Sequence, residues 1–265
     1  MKNIDKYGEW VVITGASSGI GREFAIRLSK AGKNIVVVAR NAAALQRTVD
    51  EDLITETRIV VADVASQTGM ETLFAETQDL DVGLFIHSAG IAHVGPFRDT
   101  PDDLDDGLIA IHITATVRLS RVFADRLVAR GGGGMILISS IFGMFPVPYA
   151  SVYGAAKSFM LFFGAALAVE LSDRDVDVLT VVPGGTKTKM GERLGDMIDL
   201  TKMPMAMGDP AAVAREGLNA LGHRDKVVPG FSNRLMVSMA RLMPSALVKR
   251  QFGKMLKSAL KPQSN

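Results

Sequence analysis

Tyr153 and Lys157 are four residues apart in the segment Tyr-Gly-Ala-Ala-Lys. On a helix, side chains with this spacing lie on one face, so the phenol and the amine become neighbours. A free phenol is a poor acid near neutral pH because its pKa is about 10, and a nearby ammonium favours the phenolate and lowers that pKa. The pair therefore has the chemistry to exchange a proton with a substrate oxygen.

Ser140 lies thirteen residues before Tyr153, directly after the apolar segment Met135–Ser139, which is typical of a buried strand. Open α/β sheets bind their ligands at the carboxyl ends of the strands, where a hydroxyl can orient a carbonyl group. Tyr-x-x-x-Lys by itself equally describes an ordinary pair on the surface of a helix. The strand-end serine and the glycine-rich turn described next favour the catalytic interpretation.

A glycine-rich turn, Thr14-Gly-Ala-Ser-Ser-Gly-Ile-Gly21, follows the first apolar strand and precedes a helical pattern. Glycine allows tight turning and close approach of the backbone to a pyrophosphate, and the start of the helix offers free N–H groups to phosphates. Its spacing, G-x-x-x-G-x-G, differs from the G-x-G-x-x-G fingerprint, and a plain glycine-rich turn is the alternative. The residues expected to contact a dinucleotide here are Gly15, Ser17, Ser18, Gly19, Ile20 and Gly21.

Arg40 closes the second apolar strand, nineteen residues after Gly21. The residue that contacts the adenine ribose of a dinucleotide lies at about this distance, and an acid there selects NAD. Arginine instead attracts a 2′-phosphate, and Ser17 can add a hydroxyl donor. A charge-assisted contact contributes roughly 1.5–3 kcal/mol, enough to decide cofactor choice. We therefore expect NADP as the cofactor, with a solvated surface arginine as the alternative.

Continuously apolar, Val- and Ile-rich runs alternate with longer helical patterns along the chain, which indicates a parallel sheet covered on both faces. The predicted strands are Trp10–Thr14, Asn34–Ala39, Arg58–Val61, Val82–His87, Met135–Ser139 and Val176–Val182, with Lys226–Val228 as a further candidate. The predicted helices are Ile20–Ala31, Ala42–Val49, Gln67–Thr77, Pro101–Ala129 and Val152–Leu171, and Gly131–Gly134 is predicted as a turn. The fold class is thus α/β, a Rossmann-like doubly wound parallel sheet.

These motifs together resemble the short-chain dehydrogenase/reductase family over about residues 8–230, in order and in spacing. The matching residues are Thr14-Gly15-x-x-x-Gly19-x-Gly21, Asp63, Ser88-Ala89-Gly90, Ser140, Tyr153-x-x-x-Lys157 and Pro183-Gly184-x-x-x-Thr188. The resemblance implies an oxidoreductase in which Tyr153 is the acid/base, Ser140 positions the substrate and Lys157 also binds the nicotinamide ribose. It places Asp63 and Val64 at the adenine and Thr188 at the nicotinamide carboxamide. It also implies cofactor contacts from Ser88, Ala89, Gly90, Pro183 and Gly184, and a homodimer or homotetramer.

Two positions depart from the family pattern. Ser88 stands where the family has an asparagine that braces the sheet, a change that we expect to be tolerated. His112, in Ile-His-Ile-Thr, stands where the family has a helix asparagine that supports a water-linked proton relay. Either His112 binds that water too or the relay differs.

Composition narrows the range of partners. The chain has 265 residues, no cysteine and a net charge of +2, but residues 231–265 carry seven basic and no acidic side chains. This uneven distribution indicates a basic tail and no nucleic-acid-binding face.

The scattered His87, His93 and His223 lack metal-ligand spacing, so no metal is expected. No signal peptide or membrane-spanning run is recognisable, and we expect a cytoplasmic protein.

The substrate region is predicted to come from the less regular end of the chain. We divide the chain into a catalytic domain, 1–230, with a mobile flap at 185–208, and a basic helical extension of the same domain, 231–265. The flap contains Met190, Met197, Met203, Met205 and Met207, which suit either core filling or an apolar pocket. We expect an apolar carbonyl or alcohol substrate, such as a 3-oxoacyl, steroid-like or other ketone or aldehyde compound.

The predicted helix Leu247–Lys261 is amphipathic. Its apolar face holds Val248, Phe252, Met255, Leu256 and Ala259, and its basic face holds Arg250, Lys254, Lys257 and Lys261. Such a helix can lie on an anionic membrane or pack on protein, and we favour packing on the flap or on a neighbouring subunit. A catalytically weak NADP-binding regulatory or membrane-surface module is the alternative function.

Overall fold

The computed structural model describes residues 4–202 and 207–261, and within them seven parallel strands form one sheet in the order β3-β2-β1-β4-β5-β6-β7. The strands are β1 Trp10–Thr14, β2 Asn34–Ala39, β3 Thr57–Val61, β4 Val82–His87, β5 Gly133–Ile138, β6 Val176–Val181 and β7 Lys226–Val227. The strand order reverses between β1 and β4, and this switch point is where such sheets bind ligands. The predicted doubly wound α/β fold is confirmed.

Helices cover both faces of the sheet because strand side chains alternate between the faces. The helices are α1 Gly19–Lys30, α2 Ala42–Asp52, α3 Gln67–Ala75, α4 Asp102–Ile109, α5 Ala115–Arg130, α6 Ser151–Glu170, α7 Lys189–Met197, α8 Pro210–Ala220, α9 Phe231–Leu242 and α10 Ser245–Ala259. In β1, Val12 packs with α3, α5 and α6, whereas Val11 and Ile13 pack with α1, α2 and α8. The sheet is therefore buried on both sides.

Two local predictions are wrong. The single helix predicted for Pro101–Ala129 is interrupted by a π-helical segment, Ala110–Thr114, between α4 and α5. Such insertions occur frequently at functional sites, and this one contains the buried His112. The turn predicted for Gly131–Gly134 is confined to its first two residues, because Gly133 and Gly134 are buried in β5.

The flap contains helix α7, which begins after Thr188, whose hydroxyl accepts a hydrogen bond from the Gly191 N–H at 3.1 Å. A bridge between Thr186 and Gly208 closes the base of the flap. Two of the flap methionines named above, Met203 and Met205, lie outside the described residues.

Helix α10 packs against this flap. The Asp199 N–H donates to the Ala259 carbonyl at 2.7 Å, and the Lys261 N–H donates to the Met197 carbonyl at 3.0 Å. On α10 itself, Val248, Leu256 and Ala259 are buried. These contacts agree with the expectation that the tail packs on the flap.

Two helical stretches, Asp102–Arg130 and Ser151–Glu170, are long and apolar enough to cross a membrane by length and composition. Both contribute buried side chains to the core beside the sheet, including Leu119, Phe123 and Met160. Both helical stretches therefore contribute part of their surface to the core of the fold.

Candidate active site

The glycine-rich turn has the backbone that phosphate binding requires. Gly15 and Gly19 have positive φ values of 71° and 56°, which glycine adopts readily. A Cβ at Gly21 would collide with the Gly15 carbonyl, so this position also needs glycine. Ser18 precedes α1 without a side-chain cap, which leaves the first N–H groups of the helix available to an anion. The turn fits a dinucleotide cofactor.

Thr14 and His87 join the turn to the end of β4. Thr14 Oγ1 lies 2.9 Å from His87 Nδ1 and accepts hydrogen bonds from the Ser88 and Ala89 N–H groups at 3.2 Å each. Burial lowers the pKa of His87 to about 4, so the ring is neutral. His87 is structural, as predicted, and with Thr14 it braces the strand end where Ser88 replaces the asparagine of the family.

Arg40 and Asp63 lie beside the turn, after β2 and β3. Arg40 Nη1 is 3.8 Å from Asp63 Oδ2, and both side chains are exposed. Asp63 Oδ1 also accepts a hydrogen bond from the Ala65 N–H at 3.0 Å, while Val64 is buried. The exposed guanidinium of Arg40, directly after β2, fits a cofactor with a 2′-phosphate.

The end of β5 and the start of α6 bring Ser140, Tyr153 and Lys157 together. Lys157 Nζ lies 5.8 Å from the centroid of the Tyr153 ring and donates a hydrogen bond to the Ile138 carbonyl at 2.8 Å. Ser139 Oγ donates to the Lys157 carbonyl at 2.7 Å, which ties the helix to the strand. All three side chains are buried, so their protons are shielded from bulk solvent.

Burial sets the proton affinities of this group. It raises the pKa of Tyr153, and the neighbouring Ser140 hydroxyl acts in the opposite direction. It lowers the pKa of Lys157 to about 7, because an ammonium is poorly solvated there. The sequence predicted a lowered phenol pKa; the net direction is upward, since desolvation outweighs the opposing effect of Ser140.

His112 lies beside the phenol. Its ring meets the Tyr153 ring edge-on, with centroids 5.7 Å apart, and its Nε2 is 2.7 Å from the Ile91 carbonyl. Because that carbonyl only accepts, Nε2 carries the proton and Nδ1 is an acceptor. Nδ1 is buried and has no hydrogen-bond partner in the part of the chain that the structure describes. Burial and Lys157 hold the pKa of His112 well below its usual range.

The segment after β6 completes the site. The Pro183 carbonyl accepts a hydrogen bond from the Ile141 N–H at 3.0 Å, which joins it to the loop that follows Ser140. A Cβ at Gly19 would lie 2.8 Å from Thr188 Cγ2, so the flap threonine stands against the glycine-rich turn. The sequence-predicted residues from β1, β4, β5 and β6 therefore meet at one edge of the sheet.

A family model for short-chain dehydrogenases matches residues 9–199, most of the region that builds this site. The chain belongs to the short-chain dehydrogenase family. This dehydrogenase is an oxidoreductase that acts on carbonyl or alcohol groups.

The relatives of this dehydrogenase differ in what their names say they act on. A very-long-chain 3-oxoacyl-CoA reductase of Coccidioides immitis is 30% identical over 223 residues, 81% of this chain and 62% of that protein. The chain thus spans less than two thirds of that relative. A solved structure of a 7beta-hydroxysteroid dehydrogenase matches with a TM-score of 0.84 and 26% identity, over 96% of this chain and all of the other. A short-chain dehydrogenase from Sphingobium yanoikuyae in complex with NADPH matches with a TM-score of 0.74 and 29% identity, over 97% of each chain.

An aromatic cluster in this dehydrogenase was not identified from the sequence. The Phe142 ring lies 6.3 Å from the Tyr153 ring and 6.4 Å from the Phe252 ring, and Phe252 stacks on Phe145 at 6.1 Å. Phe142 and Phe145 follow Ser140 in the sequence, so aromatic residues directly after this strand-end serine were the signal that could have identified the cluster. The cluster joins α10 to Tyr153.

Proposed function

We propose that this dehydrogenase interconverts a carbonyl and a secondary alcohol with NADP(H), using Tyr153 as the acid/base. The observation that carries the proposal is the buried group of Ser140, Tyr153 and Lys157 at the same sheet edge as the glycine-rich turn. A protein that only bound the cofactor would have no need of this set. The catalytically weak module is therefore the less favoured alternative.

In the proposed reduction, the Tyr153 hydroxyl donates a proton to the carbonyl oxygen as negative charge develops there. Ser140 Oγ donates a hydrogen bond to the same oxygen and fixes its position. The ammonium of Lys157 stabilises the phenolate that results, because opposite charges in a buried site interact strongly. The cofactor, when bound, supplies the hydride.

Two features support NADP as the cofactor. Arg40 stands at the end of β2 with its guanidinium exposed, and the matching Sphingobium structure contains NADPH. The turn residues Gly15, Ser17 and Gly19 would hold the phosphates, and Arg40 would hold the 2′-phosphate. Lys157 and Thr188 would hold the nicotinamide end.

An apolar substrate fits the aromatic cluster between Tyr153 and Phe252. The names of the relatives, a 3-oxoacyl-CoA reductase and a 7beta-hydroxysteroid dehydrogenase, agree with a medium-to-large apolar carbonyl compound. We further propose that the protein is cytoplasmic and forms a homodimer or homotetramer. Exposed Phe162 and Val169 on α6 offer an apolar face for such a subunit contact.

A carbonyl-substrate screen followed by NADPH absorbance tests the proposed function. The panel contains steroid ketones, 3-oxoacyl thioesters and simple aldehydes, each with NADPH and with NADH. Turnover of at least one apolar ketone with NADPH is expected. Cofactor binding without turnover of any member would instead support the binding-module alternative.

A further inference from the structure

We infer that a cationic pocket beside the active site binds an anionic group on the substrate; this inference rests on the proposed function. The pocket has a volume of about 760 Å³. Four basic side chains line it, Arg98, Arg250, Lys254 and Lys257, together with one carboxylate, Asp99. The volume lies within the range of roughly 300–1,000 Å³ that small-molecule sites occupy.

The charges in the cationic pocket are not neutralised by the protein. None of its four basic groups lies within 4.0 Å of a carboxylate in residues 4–202 and 207–261. Elsewhere, Arg22 contacts two carboxylates, and Arg58 and Arg130 contact one each. Arg250, Lys254 and Lys257 also follow one another at helical spacing on α10, where like charges repel. An external anion is the partner that would relieve this repulsion.

One residue links the pocket to the catalytic group. Tyr149 lines the pocket and also packs in the hydrophobic cluster that contains Tyr153. The Gly95 N–H donates to the Tyr149 carbonyl at 2.8 Å, which ties the loop before Arg98 to the start of α6. An anion in the pocket is therefore held against the elements that carry the acid/base.

Helix α10 contributes to both the apolar and the charged part of this region. Phe252 packs on Phe142, which contacts Tyr153, while the neighbouring Gly253 and Lys254 line the cationic pocket. Phe252 and the basic residues lie on opposite faces of α10, so a substrate with an apolar body beside the aromatic cluster would have to pass around the helix at Gly253, which lines the pocket, to place an anionic end among the basic groups. The helix would then select substrates that have both properties.

Two kinds of compound supply this chemistry, an acyl thioester with a phosphate-bearing handle and a ketone with a free carboxylate. The pocket has four basic groups and one acidic group, and this excess of positive charge suits a phosphate-bearing group with several negative charges better than a single carboxylate. The test compares a 3-oxoacyl-CoA, the uncharged N-acetylcysteamine thioester of the same acyl group, and an apolar keto acid with its methyl ester.

The variant Arg250→Gln/Lys254→Gln removes two positive charges from the pocket and leaves the buried face of α10 unchanged. For each pair we measure the ratio of kcat/KM for the anionic compound to that for its uncharged analogue. We expect this ratio to fall at least tenfold through KM for the pair whose anion the pocket binds. The control Arg241→Gln/Lys249→Gln removes two charges outside the pocket and is expected to leave both ratios unchanged.

If the ratio falls in both pairs, the pocket binds either kind of substrate anion. If it falls in only one pair, the pocket prefers the anion of that pair, the phosphate-bearing group or the carboxylate. An unchanged ratio in both pairs, or an equal loss in the control, overturns the inference.

If no carbonyl compound is turned over, the proposed function fails, and binding of an anion to the pocket is then tested without turnover. Titration calorimetry then measures whether coenzyme A or the keto acid binds to the protein at saturating NADP⁺. Binding that the pocket variant weakens and the control retains supports an anion site, and no binding of either probe refutes it.

Discussion

Arg40 Nη1 lies 3.8 Å from Asp63 Oδ2, with the two side chains 65% and 44% exposed. An exposed ion pair of this kind contributes at most about 1 kcal/mol, so it does not hold the guanidinium in place. A 2′-phosphate carries more charge than the carboxylate and would compete for Arg40. The two residues thus act in opposite directions on the choice between NADP and NAD.

Arg40→Ala is expected to weaken NADPH binding by about ten- to a hundredfold, because a charge-assisted contact contributes roughly 1.5–3 kcal/mol. NADH binding should change little. Titration calorimetry with both cofactors measures this difference. Asp63→Asn is the matched variant, since it keeps the oxygen that accepts from Ala65 but removes the repelling charge, and it should favour NADPH further. Equal affinities in the unaltered protein would contradict the proposed cofactor.

Tyr153→Phe is expected to fold and bind NADPH normally while losing turnover by about 10²–10⁴-fold, the contribution typical of a general acid. Phenylalanine keeps the ring that packs between His112 and Phe142. Fluorescence titration of NADPH and steady-state kinetics on a substrate from the screen test both parts. Turnover within tenfold of the unaltered enzyme would mean that another group supplies the proton.

His87 and His112 should destabilise the protein in acid. Their folded pKa values lie below the unfolded value of about 6.5, so the unfolded chain binds more protons and stability falls as pH drops through 6.5. Each histidine contributes a slope of up to about 1.4 kcal/mol per pH unit. Replacement of His112 by Asn should therefore make the decline between pH 6.5 and 4.5 shallower. Urea unfolding at several pH values measures this, with exposed His223→Asn as the control.

Phe162 is 78% exposed and Val169 is 76% exposed on α6, seven residues apart and therefore on one face. If two copies pair through this face, Phe162→Glu places a charge in the contact and should shift the protein towards monomer. Light scattering across a concentration series measures the mass. Leu242→Glu, an equally drastic change at an exposed position on α9, should leave the mass unchanged. Dissociation by the α9 variant alone would place the contact there.

A truncation after Met243 removes α10, which packs on the flap and on Phe142. We expect KM for apolar substrates to rise, because the aromatic cluster loses Phe252. The membrane-surface alternative makes the opposite prediction: solution kinetics should survive, and salt-sensitive flotation with anionic liposomes should be lost. Kinetics and flotation on the same two proteins separate these roles.

Much of this architecture depends on patterns local in the chain. Continuously apolar strands must be covered on both faces, and a glycine-rich turn after the first strand leads directly into a helix. The spacing of Tyr153 and Lys157 needs only a helix to make them neighbours. These features were predictable because each depends on the conformation of a few consecutive residues.

Other features depend on contacts between segments that are distant in the sequence. Buried His112, in the π-helical segment, contacts the Ile91 carbonyl, and the direction of the Tyr153 pKa follows from burial. Arg98 and α10 are about 150 residues apart, yet they line one pocket. Periodicity carries no information on such contacts, because packing, desolvation and unpaired charge are properties of the assembled fold.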